Sequence, residues 1–172
     1  TDISSLAQKI VDTNEFFQPK HAKKMERALS EIFRMQTIDY YDYQLVHTHQ
    51  THTMPLADCS FNKLGDMFVT SSFDNTACVW KTETGEMLSK LTGHENVVYS
   101  CTFNNPTGNI IATGSFDRTA GIWSASEGTL LHHLKGHKKE VVTVAFDSTS
   151  KYLATGSSDC TAKLWDTAPW ER

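Results

Sequence analysis

The sequence predicts an all-β fold of repeated antiparallel sheets behind a short α-helical segment, and three observations carry that prediction. Tryptophan recurs at Trp80, Trp123 and Trp165, at intervals of 43 and 42 residues. Six residues before each stands an acid, Asp74, Asp117 and Asp159, and a histidine stands 28, 29 and 28 residues before, at His52, His94 and His137. The segments that end in the tryptophans are built alike: Met67-Phe-Val-Thr-Ser-Ser-Phe-Asp-Asn-Thr-Ala-Cys-Val-Trp80, Ile110-Ile-Ala-Thr-Gly-Ser-Phe-Asp-Arg-Thr-Ala-Gly-Ile-Trp123 and Tyr152-Leu-Ala-Thr-Gly-Ser-Ser-Asp-Cys-Thr-Ala-Lys-Leu-Trp165.

The helical segment comes first, over residues 1–42. Residues 1 to about 38 contain no Gly and one Pro. Their apolar residues fall at helical spacing, Ile3, Leu6 and Ile10, then Met25, Ala28, Leu29, Ile32 and Phe33. Thr1 or Asp2 can cap a first helix, and Gln18-Pro19 marks the start of a second whose early residues are basic, Lys20, Lys23 and Lys24. Two readings of this pair stand: the helices pack on the repeats or on each other, or they dock a partner helix.

Residues 43–172 hold the repeats, divided at about 43–91, 92–134 and 135–172. In the second, β-rich runs Val97–Phe103, Ile110–Ala112, Ala120–Trp123 and Leu130–Leu134 alternate with turn residues Asn104–Asn109, Asp117-Arg118 and Ser126–Gly128. Four strands joined by tight turns make an antiparallel meander. One such sheet cannot bury both faces, so neighbouring units must stack. Ahead of the first unit, Tyr43–Thr48 reads as an outer strand, and the last unit stops at Trp165–Trp170 before an outer strand of its own. The chain therefore reads as a piece of a longer repeat array, or as one that pairs its open edges with another chain.

Gly93-His94, Gly136-His137 and Trp165-Asp166 lie at the limits of units ~40 to 45 residues long, and in this the chain resembles the WD-repeat family. Lys81 and Ser124 replace the Asp of the Trp-Asp pair in the other two units. The resemblance covers roughly residues 43 to 167 and implies a partial β-propeller, whose sheets are blades; closed rings hold ~4 to 8. It also implies a hydrogen-bonded chain within each blade: His94, Asp117 and Trp123 with Thr113 or Ser115; His52, Asp74 and Trp80 with Thr70 or Ser72; His137, Asp159 and Trp165 with Thr155 or Ser157. Finally it implies a docking face made of the third and fifth residues after each repeat His and the residue before each turn Asp. Those are Pro55, Ala57 and Phe73; Val97, Tyr99 and Phe116; and Glu140, Val142 and Ser158. The middle group is apolar and aromatic, as interface anchors are. Val97 and Tyr99 also read as residues packed into their strand.

Other chemistries find little support. A His, an Asp and a hydroxyl suggest a hydrolase triad, but a set copied three times and buried between strands offers neither an activated nucleophile nor an oxyanion hole. The chain carries 16 basic and 20 acidic residues, a net charge of −4, which argues against a broad nucleic-acid footprint. The Lys135–Lys139 run reads as an interblade loop. No apolar stretch approaches the ~20 residues that span a bilayer. Cys59, Cys78, Cys101 and Cys160 show no metal-type pairing, and Cys59 and Cys101 read as small core residues. His47, His49 and His52 invite a zinc reading but have no acid or thiol close by in sequence. No Gly-rich phosphate loop occurs, and no cofactor is implied.

A narrower likeness lies mid-chain. Asn96-Val-Val-Tyr, Thr102-Phe-Asn-Asn-Pro106 and Ile111-Ala-Thr-Gly-Ser-Phe-Asp117, with Thr1-Asp-Ile-Ser-Ser-Leu ahead of a helical segment, resemble the WD-repeat dynein assembly factors. That resemblance implies a non-enzymatic adaptor between axonemal outer-arm dynein subunits and intraflagellar transport subunits, moving between cytoplasm and cilium. Those factors carry a complete propeller of about eight repeats. The alternatives are a WD scaffold of another complex (a ubiquitin-ligase receptor, a signalling β subunit, an RNA-processing factor) and, from another class, an enzyme with residues converging on a central channel.

Overall fold

The computed structural model describes residues 3–13, 19–36 and 44–168. The capping residues Thr1 and Asp2, Gln18, Tyr43, Pro169 and Trp170 lie outside these, as does the side chain of Phe33. The chain divides into two compact units, residues 1–46 and 47–172.

The first unit contains helices α1 (Ile3–Thr13) and α2 (Ala22–Gln36), the latter entered through a 3₁₀ turn at Pro19–His21. They pack on each other. Ala7 and Val11, one turn apart on one face of α1, are buried; Met25 and Leu29 of α2 are half-buried, and Lys20, Lys23 and Lys24 are exposed. Ala28 and Ile32 sit on the adjoining stripe of α2, about 60° round the helix from Met25 and Leu29, and stay exposed.

The second unit is three antiparallel meanders. The first blade holds β1 (Leu56–Phe61), β2 (Met67–Ser72), β3 (Ala77–Lys81) and β4 (Met87–Leu91); the second holds β5 (Val98–Phe103), β6 (Ile110–Ser115), β7 (Thr119–Ser124) and β8 (Leu130–Lys135). The third holds β9 (Val141–Phe146), β10 (Tyr152–Ser157) and β11 (Ala162–Asp166). Within each, strands pair in sequence order.

Register places the core. The cross-strand pair Ile111 and Trp123 joins Val69, Val79, Leu91 and Val98 between the first and second blades. The next pair along, Ala112 and Ile122, points the other way and joins Val141, Val144 and Leu153 between the second and third. The middle sheet is thus covered on both faces, and β6 and β7 are buried almost throughout. The outer sheets each have another blade against one face only, with His49 lying against Trp80 (3% exposed) on the other face of the first. Their β1 and β11 alternate, with Phe61 61% and Leu164 68% exposed.

Two expectations need correction. Cys101 is buried, its thiol 3.8 Å from the Val69 carbonyl of the neighbouring blade. Cys59, at the matching place in the first blade, is exposed, because no sheet covers that face of β1. Nor do residues 44–50 form the expected outer strand. No neighbouring edge offers them a ladder, and they are held by side chains instead: His47 Nε2 lies 3.2 Å from the Glu83 carbonyl and the His49 ring 4.3 Å from that of Trp80.

Candidate docking face

In each blade one threonine hydroxyl is the hub of a polar chain. Trp123 Nε1 donates to Thr113 Oγ1 at 2.8 Å, that oxygen lies 2.7 Å from His94 Nε2, and His94 Nδ1 is 2.6 Å from Asp117 Oδ2. The first blade repeats this through Trp80, Thr70, His52 and Asp74 at 2.9, 3.0 and 2.9 Å. The third does so through Trp165, Thr155, His137 and Asp159 at 2.9, 2.8 and 3.0 Å. An indole only donates and a carboxylate only accepts, so in the neutral form of the ring every proton points one way, from Trp through Thr and His to Asp. Such a chain polarises along its length.

Where the sequence left two hydroxyls open, position separates their roles. Ser115 Oγ donates to the Asn96 carbonyl and accepts from the Asp117 amide, so it pins the β6–β7 turn, while Thr113 carries the chain. Ser72 and Ser157 make the matching pairs of bonds. Thr113 is fully buried and its hydroxyl engaged, which suits a strut and leaves a substrate no approach.

The carboxylates are set low by these partners. Burial works against ionisation of Asp74, but hydrogen bonds from Thr76, His52 and the Thr53 amide outweigh it and lower its pKa to about 2. At Asp117 burial is likewise overcome, by His94 and Thr119, and at Asp159 the bond from Thr161 and the Lys138 amide lead; both are held well below the usual carboxylate range. Folded values below the unfolded ~3.9 mean that this stabilisation is complete above about pH 5 and is lost as pH falls toward 2. The urea midpoint is therefore expected to be lower at pH 2.5 than at pH 5. An unchanged midpoint would show that the carboxylates add nothing.

The same architecture builds a surface. Each blade's innermost strand carries a β-bulge against its partner, at Ala57 in β1, Tyr99 in β5 and Val142 in β9. A bulged residue leaves the ladder and its side chain is re-aimed. The carbonyls two residues earlier, on Pro55, Val97 and Glu140, accept from the amides of Phe73, Phe116 and Ser158 at 3.0, 2.9 and 3.0 Å. One end of every blade therefore presents the same three positions. Phe73 (38% exposed) meets Tyr99 (39% exposed) edge-on at 6.4 Å, and Tyr99 stacks on half-buried Phe116 at 5.2 Å and 19°. Val97 lies beside this row, half-buried. The third blade offers half-buried Glu140 and Val142 with exposed Ser158, so the aromatic row crosses from the first blade to the second and does not reach the third.

Two side chains beside these arrangements, Asp58 and His133, went unnoticed in the sequence, and a third, His49, was weighed there only as a metal ligand. Asp58 of β1 reaches Ser100 and Cys101 of the next blade. His49 covers Trp80, and His133 stacks on His94 at 5.8 Å, where burial and the His94 charge lower its pKa. Each acts across a strand or blade boundary that period alone does not reveal. Among the described residues, no group of three His, Cys, Asp or Glu side chains could hold a metal ion, and no helix is long and apolar enough to cross a membrane.

Comparison with known proteins agrees with this architecture. The profile of the family described as WD domain, G-beta repeat matches residues 43–81, 85–124 and 128–166. The chain is similar to Dynein assembly factor with WD repeat domains 1 of Mus musculus, 39% identical over 107 residues, covering 62% of this chain and 26% of that protein. To the protein of the same name in Xenopus laevis it is 48% identical over 89 residues, 49% of this chain and 21% of the relative. A more distant match is COMPASS component SWD3 of Saccharomyces cerevisiae, 32% identical over 71 residues, 41% of this chain and 22% of the relative. The chain thus spans about a quarter of the dynein assembly factors it matches. These relatives and the repeats point to a non-enzymatic protein with a protein-interaction role, and with more than half of its residues matched the chain belongs to the WD domain, G-beta repeat family.

Proposed function

We propose that this chain is part of an adaptor that couples axonemal outer-arm dynein to intraflagellar transport, working between cytoplasm and cilium, and that it meets a protein partner through the Phe73, Tyr99 and Phe116 row. The observation that carries the docking reading is a row of three partly exposed aromatic rings, joined through Tyr99, at the bulged ends of two adjacent blades. Rigid, partly exposed aromatic side chains are what interface anchors are made of. Val97 extends this row, and Glu140, Val142 and Ser158 supply a more polar border on the third blade. The dynein assignment is supported by the chain's similarity to Dynein assembly factor with WD repeat domains 1.

Affinity capture of the full-length protein from ciliated cells, with identification of the retained chains, tests the adaptor role. Outer-arm dynein chains recovered together with intraflagellar transport subunits are the expected result; a ubiquitin-ligase, splicing or signalling complex in their place would overturn it. Phe116→Glu tests the face: it is expected to weaken capture about tenfold, as loss of an anchor does. Thermal unfolding should be nearly unchanged. Equal loss of both would make Phe116 a core residue and remove the docking face.

A further inference from the structure

The bulge that turns Tyr99 outward is fixed from outside its own blade. Asp58, in β1 of the first blade, places Oδ2 3.0 Å from Ser100 Oγ and 3.1 Å from the Cys101 amide, the two residues that follow Tyr99. Its other oxygen, Oδ1, accepts from the Cys59 amide at 2.8 Å. The carboxylate is thus clamped by its own strand on one side and grips the neighbouring strand on the other. The β5 register breaks between Val98 and Ser100, so Tyr99 has no ladder partner. Hydrogen bonds to an ionised acceptor are about twice as strong as neutral ones, which suits this one to holding an irregular backbone in place. The residues matching Asp58 in the other blades are Ser100 and Thr143, neither of which carries a charge.

We propose that Asp58 is a positioning residue for the docking face: from the first blade it holds the second blade's bulge so that Tyr99 stacks on Phe116 and meets Phe73. It touches no partner. It acts through Ser100 and Cys101 on the backbone of Tyr99, and so makes the two blades that share the aromatic row keep one relative position. The proposal rests on the docking reading for its purpose, while its geometry can be tested alone.

The test is nuclear magnetic resonance on the full chain with Asp58→Leu, Asp58→Asn and Ser100→Ala. In Asp58→Leu the Cys101 amide loses its acceptor, and its exchange with solvent is expected to rise about tenfold. The Tyr99–Phe116 ring contacts should disappear while resonances of β6 and β7 stay in place. Asp58→Asn keeps one acceptor oxygen for Ser100 and Cys101 but sets an NH2 group against the Cys59 amide and loses the charge, so its protection and ring contacts should fall between those of the parent and of Asp58→Leu. Ser100→Ala removes one of the two donors and should raise Cys101 exchange by roughly threefold, which keeps the idea testable should Asp58→Leu fail to fold. Ring contacts that persist in Asp58→Leu would overturn the proposal, as would a greater loss in Asp58→Asn than in Asp58→Leu, or shifts spread equally through β6 and β7, which would report a damaged blade interface. The docking reading fails separately: if the rings part in Asp58→Leu and capture of dynein chains by the full-length variant is unchanged, Asp58 positions Tyr99 but Tyr99 does not dock.

Discussion

Thr113→Val is expected to lower the folding stability of the second unit by about 3 kcal/mol, although it changes the volume of the side chain very little. The valine fills the space but lacks the oxygen that Trp123 Nε1 and His94 Nε2 both use, at 2.8 and 2.7 Å. Each orphaned buried group costs about 1 to 3 kcal/mol. In a domain of this size that corresponds to roughly 6 to 12 °C of melting temperature. The third blade provides an internal control. Thr155 is as buried as Thr113, but Trp165 is half-buried, so water can reach part of the chain and Thr155→Val should cost only about 1 kcal/mol. Denaturant midpoints of the two variants decide the matter. Equal losses would mean that sealing the chain from solvent is irrelevant, and a neutral Thr113→Val would remove the polar chain from any account of stability.

Gly93→Ala should cost about 2 to 3 kcal/mol by a different route. Gly93 has φ of +152°, a conformation side chains rarely adopt, and a Cβ there would stand 3.2 Å from Trp123 Cη2. Backbone strain of this kind costs about 1 to 3 kcal/mol, and the indole, 1% exposed, has no room to retreat. Gly136 has nearly the same φ, +157°, but its Cβ would lie an ordinary 3.5 Å from Trp165, so Gly136→Ala should be the milder change. The same geometry accounts for the Gly-His pairs of the second and third units. The first unit has Thr51 before His52, and Thr51 shows no positive φ. Thermal unfolding of the two alanine variants checks the order; a Gly93→Ala protein as stable as its parent would show that the loop relaxes freely.

Much of this arrangement could be read from residue spacing because a repeat states each feature three times. The interval between Trp80, Trp123 and Trp165 set the blade length, and the recurring His and Asp marked the ends of the polar chain. What spacing could not supply was which side of a sheet has a neighbour. Cys59 and Cys101 occupy matching places and read alike, yet one is exposed and the other buried, since only β5 has another blade against that face. Tyr43–Thr48 has the composition of a strand, but a strand needs an edge to pair with, and the described part of it pairs with none. Thr113 and Ser115 share one strand face and differ in role because only Thr113 lies within reach of the indole. Asp58 was overlooked for the opposite reason: Ser100 and Thr143 stand at its place in the other units, so no repetition marks it.

The middle sheet, covered on both faces, determines the order in which this unit can come apart. Either outer blade can leave by uncovering one interface, whereas removing the middle one sacrifices two. In a chain of nearest-neighbour couplings the central element is the last to open, and openings begin at the ends. The aromatic row straddles the first of the two boundaries, between Phe73 on one blade and Tyr99 and Phe116 on the next. A partner seated across it would act as a staple, tying its own residence to the closure of that boundary and leaving the second boundary free to breathe.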